Sequence, residues 1–152
     1  MTVGSRLGND WVWGVVMVAG LVLGLGVSAS EADDNPKDLV CSFTEGESRT
    51  YEAGAFQSKP PNPLSFNIET IDLEKQTATI KAAPDAKPGK LSVVRAINAN
   101  HFLEVVNEGF LNITTVYDKD RASGKYPAVH SRHGGVVGSP VFGQYTGFCT
   151  DE

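Results

Sequence analysis

Tyr126–Gly135 reads YPAVHSRHGG, and whether this stretch is extended or helical decides both the fold and the chemistry of the chain. Pro127, the β-branched Val129 and the Gly134-Gly135 pair all oppose a helix. Extended backbone turns successive side chains to opposite faces. His130 therefore shares a face with Arg132, and His133 shares the other with Ser131. Two of the three histidines in the chain are thereby directed apart.

The same period of two recurs on either side. LVCSF sets Leu39, Cys41 and Phe43 on one face, LSFNI sets Leu64, Phe66 and Ile68, and TATIKA sets Ala78, Ile80 and Ala82. TYEAGAF, LSVVRAI, FLEVV, FLNITTVY and FGQYTGFC are further strand candidates. Turn residues stand between them at Thr44–Glu47, Lys59–Pro63, Pro84–Gly89, Asn107–Gly109 and Asp118–Gly124. Arg95–Gly109 also reads as a helix ended by Gly109, but its Val and Ile content favours two strands around Asn98–Asn100. The expectation is an all-β domain, an antiparallel meander of about eight strands. Such a meander hides its edges by closing into a small barrel, the favoured reading, or by folding into a sandwich.

The first thirty residues differ in character. Arg6 precedes the uncharged run Trp11–Val27, and the small residues Ser28, Ala29 and Ser30 lead into Glu31, Asp33 and Asp34. A basic start, an apolar middle and small residues at a cleavage position describe a signal peptide. Residues 1–29 are expected to be removed after Val27-Ser28-Ala29, leaving a single β domain over 30–152 in the periplasm or outside the cell. An uncleaved anchor is the other reading of so long an apolar run. Cys41 is set off from the run by EADDNPKD, which excludes it as a lipid-anchor cysteine.

Setting aside Arg6 and Asp10, 12 basic and 17 acidic residues remain, with no basic cluster. Nucleic acid and an anionic membrane surface are thus poor partners, and no stable membrane insertion is expected after cleavage. Cys41 and Cys149 are the two cysteines of the chain. In an oxidising compartment they are expected to pair. That bridge would make the first and last strands neighbours, as a barrel requires. Lacking C-x-x-C spacing, they are poor zinc ligands.

No cofactor or metal is expected, because zinc requires three or four converging ligands. His130, His133 and, from another segment, His101 would converge only across a bulge, which the glycines permit. A His-based metalloprotein or hydrolase is the alternative built on that convergence. Catalysis is disfavoured: Ser131 and His130 are strand neighbours that face apart, and no G-x-S-x-G elbow is present. The plainest reading makes Arg132 the surface partner of an acid such as Glu104. The more informative one places His130 and Arg132 inward as a carboxylate or anion clamp, pH-sensitive because histidine titrates near 6.5. His130, Ser131, Arg132 and His133 are accordingly the candidate ligand-binding residues of a binding or inhibitor-like protein. Its partner would be a small ligand or an envelope protein, and a structural envelope component is the remaining alternative.

CSFTEG, HFLEV, TTVYD, AVHSRH and QYTGFC, behind an apolar leader, resemble the pattern of small exported bacterial proteins without assigned function. That resemblance implies a periplasmic or secreted β domain and brings no catalytic residues. The layout is also similar in outline to periplasmic lysozyme inhibitors, small disulfide-bearing barrels. The chain has no clear counterpart of their inhibitory loop, so the likeness is architectural.

Overall fold

The computed structural model describes residues 35–106, 109–136 and 139–152. The expected signal peptide and cleavage position lie outside the described residues, as do Asn107 and Glu108 of one expected turn. The chain forms β1 (Leu39–Glu52), β2 (Ala55–Lys59), β3 (Leu64–Asp72), β4 (Thr77–Lys81), β5 (Gly89–Arg95), β6 (Ala99–Val106), β7 (Phe110–Tyr117), β8 (Tyr126–Val136) and β9 (Ser139–Asp151). No helix occurs among the described residues. Over residues 95–106 this stretch resolves into the end of β5, a turn and β6, as the β-branched content favours.

β1 pairs antiparallel with both β2 and β3, each strand from β3 onward pairs antiparallel with the next, and β9 returns to pair with β1. Eight strands, β1 and β3–β9, thus close a barrel, with β2 attached outside the cycle. Closure removes the edges that an open meander would expose. Cys41 lies opposite Cys149 in the β1–β9 ladder, and the two form a disulfide spanning 108 residues. The expected bridge is present and sits on the strand pair that closes the barrel.

Inward positions follow the period of two. Leu39, Cys41 and Phe43 of β1 meet Phe66 and Ile68 of β3, and Leu91, Val93 and Phe102 complete the apolar filling. Phe43 and Phe66 stack with ring centroids 5.5 Å apart. Full burial of side chains this size contributes roughly 1.5–3 kcal/mol each. These buried side chains pack around the disulfide at its end of the barrel.

Two local features differ from the sequence expectation. Thr44–Glu47 does not turn; β1 continues through it with a bulge between Phe43 and Glu45. A bulge lets an extra residue into one strand and increases its twist. At this place β1 crosses β9 so closely that a Cβ on Gly147 would meet the Ser42 carbonyl oxygen and the Phe43 Cα. TYEAGAF, conversely, is not one strand. Ala53 and Gly54, both at positive φ, turn it into the β1–β2 hairpin, as a two-residue turn requires. The second half of β1 and the first half of β9, with β2, consequently extend past the barrel wall on one side of its mouth.

Candidate functional site

The β7–β8 and β8–β9 ladders fix the candidate residues. Asn112 lies opposite Arg132 and Thr114 opposite His130, while Gly143 and Tyr145 flank Arg132 and His130 from β9. His130 is buried, as are Thr114 and Asn112. His130 and Arg132 therefore point into the barrel at successive inward positions, His130 deeper and Arg132 nearer the mouth. Ser131 and His133 face the outer wall, and His133 is exposed. The four residues expected to share a site are split by the strand period, two inside and two outside.

His101 is on the outer wall too. Its Nδ1 is 2.9 Å from the Thr115 hydroxyl, its partner across the β6–β7 ladder. The three imidazoles thus do not converge. No group of three or more metal-ligating side chains occurs among the described residues.

His130 is part of the barrel's filling. Its ring lies 5.7 Å from Phe43, 5.3 Å from Phe66 and 5.7 Å from Tyr145 by centroid, and its Nδ1 is 2.9 Å from the Thr114 hydroxyl. Burial in this aromatic cage, helped by the nearby Arg132 charge, pushes its pKa down from 6.5 to about 4. The expected titration near 6.5 is therefore not that of this residue, which stays neutral at ordinary pH. With 3% of its surface exposed, His130 leaves a ligand almost nothing to touch. It works as the floor beneath Arg132 and not as the second arm of a clamp.

Arg132 has a different environment. Its guanidinium lies 5.3 Å over the Phe110 ring, a cation–π contact. Gly134 makes that possible, since a Cβ there would run into Phe110. The expected partnership with Glu104 does not form: the nearest arrangement has the Asn112 amide donating to the Glu104 carboxylate at 2.8 Å. Among the described residues the Arg132 guanidinium has neither a carboxylate nor a hydrogen-bond partner. It lines a concavity of about 230 Å³ with Ser48, Phe110, Val141, Phe142, Gly143 and Tyr145. Beside it, Asn112 keeps a buried side-chain oxygen with no hydrogen-bond partner. Buried polar atoms are normally satisfied, so each exception requires a partner such as water or a bound group.

Arg132 is legible from the sequence, whereas the groups around it are not. Residue type alone does not single out Asn112, an amide within the candidate strand FLNITTVY. The alternation in FLNITTVY does place Asn112 and Thr114 on the face of Val116, and that signal identifies them as interior polar residues. Ser48 was hidden, because the bulge in β1 shifts which residues face inward.

Fold and site together define a small disulfide-closed antiparallel barrel with a cationic, aromatic-lined mouth. The chain matches no family model, no curated protein and no solved structure.

Proposed function

We propose that the chain is an exported binding protein whose barrel mouth takes a small carboxylate-bearing ligand through Arg132. The supporting observation is the half-buried guanidinium that faces a concavity without an anionic partner. Partial burial makes an uncompensated charge unfavourable, and a carboxylate is the group that an Arg fork binds bidentately. A space of about 230 Å³ is below the usual range for drug-sized ligands, roughly 300–1,000 Å³. It suits a ligand the size of an amino or hydroxy acid. The unpaired oxygen of Asn112, the ladder neighbour of Arg132, favours a ligand that also carries a hydrogen-bond donor. The Tyr145 and Ser48 hydroxyls add polar groups to the wall. A carboxylate side chain on an envelope protein offers the same chemistry.

Export is part of the proposal. It is supported by the disulfide, a bond of oxidising compartments, and by the Trp11–Val27 run followed by small residues. Both tryptophans, Trp11 and Trp13, precede the expected cut. The exported protein should therefore begin at Ser30 and lack tryptophan absorbance, which intact mass and ultraviolet spectra will report.

The binding proposal is tested by titrating the purified chain with acetate, lactate, glutamate and citrate, read by amide chemical shifts. Saturable shifts at the ends of β7, β8 and β9 are expected. Arg132→Ala should weaken the response at least about tenfold, the low end of the loss when one partner of a charged hydrogen-bonded pair is removed. Arg49→Ala should leave it unchanged, because Arg49 lies on the outer wall beside Glu47. No saturable response to any of these acids, or one that survives Arg132→Ala, would overturn the assignment.

A further inference from the structure

Closure of the barrel leaves one edge open. β2 pairs with β1 alone, and all five of its residues are exposed. Glu52 and Ala55 close the hairpin around the Ala53-Gly54 turn, and the pair flanking a two-residue turn is hydrogen-bonded. Alternation then directs the peptide groups of Ala55, Gln57 and Lys59 toward β1, leaving those of Phe56 and Ser58 facing outward. No other backbone hydrogen bond occupies these outward groups among the described residues. Beside the edge lies an aromatic row on the outer wall. Tyr51 and Phe56 meet edge to face at 5.1 Å, and Phe56 and Phe142 do so at 5.6 Å. Phe56 is nevertheless 50% exposed and Tyr51 40%.

We propose that this edge pairs with β2 of a second copy of the chain, antiparallel about a two-fold axis at Gln57. The spacing is self-complementary. With Gln57 opposite its own counterpart, Phe56 faces Ser58 of the second copy and Ser58 faces Phe56. These are the residues with free peptide groups, so four backbone hydrogen bonds form across the axis. The charges complement each other as well. Lys59 falls opposite Ala55 of the second copy, whose other neighbour is Glu52. Two strand spacings, about 10 Å, separate Lys59 from that Glu52. The two long side chains can span this distance over the small Ala55 methyl, and the symmetry creates the pair twice. The prolines at 60, 61 and 63 cannot donate to a ladder and confine the pairing to these five residues.

Sedimentation equilibrium of the disulfide-intact chain over a wide concentration range tests the proposal. A reversible monomer–dimer equilibrium is expected. Lys59→Glu should weaken it about tenfold, because symmetry counts each altered pair twice. Glu52→Lys combined with Lys59→Glu should restore it. Ser58→Pro removes an outward N–H while leaving the inward ladder to β1 intact, and should abolish the dimer. Circular dichroism of each variant reports whether the barrel itself is retained. A wild-type chain that is monomeric throughout the range overturns the proposal. So does a dimer indifferent to Lys59→Glu and Ser58→Pro, or a folded charge-swapped double variant that fails to recover.

Discussion

His130 shows most clearly how position within a strand overrides residue type. A histidine next to an arginine and a serine reads as chemistry, yet the ring lies among Phe43, Phe66 and Tyr145 and is neutral down to about pH 4. That neutrality links it to stability. Unfolded, the imidazole takes up a proton near its ordinary 6.5; folded, it does not until about 4. Its contribution is thus fully present above 6.5 and is lost as pH falls from 6.5 to 4, by up to about 3 kcal/mol. Urea unfolding at a series of pH values in that interval should show this decline. His130→Leu, measured the same way, should show a flatter profile, though with lower stability at neutral pH because the Thr114 hydroxyl is left unpaired. A wild-type profile as flat as that of the variant would place the ring outside the barrel.

Among the elements, the crossing of β1 and β9 bears most on barrel closure. Gly147 is required there by close approach, since a Cβ would meet the Ser42 carbonyl and the Phe43 Cα, which are backbone atoms that cannot swing away. Gly147→Ala should cost at least about 1–3 kcal/mol, the usual penalty for overpacking, as read from the urea midpoint. A change within about 0.5 kcal/mol, ordinary for a surface substitution, would mean that the strands are not so close. Strands such as LSFNI and FLNITTVY were legible because apolar residues alternate on one face. The two misread places, Thr44–Glu47 and TYEAGAF, share a cause. Turn-forming residue types serve equally well in a bulge, whereas Ala53 carries a turn without being a turn former. Local composition does not separate these cases; strand register does. At the mouth, Arg132 was legible from spacing alone, but Ser48 faces inward only because the bulge changes the phase of β1.

For the whole molecule, one covalent link coincides with the ladder that closes the barrel. Joining residues 108 apart removes unfolded-state freedom worth up to about 4.7 kcal/mol in the chain-entropy treatment. Reduction, or replacement of both Cys41 and Cys149 by Ala, should lower the unfolding free energy by about 2–5 kcal/mol. Equal stability of the oxidised and reduced forms would show that the bridge constrains nothing the ladder does not already hold. The polar mouth rests on this frame, because Arg132 is aimed by β8, and β8 is held in place by β9 and β7.

His130 is sealed within the barrel beneath Arg132, and its ring nitrogens report this directly. Nuclear magnetic resonance titration of the His130 imidazole should show a single midpoint near pH 4. A midpoint between about 6 and 7, the range of a solvated histidine, would contradict the inward register of β8 and the site built on it.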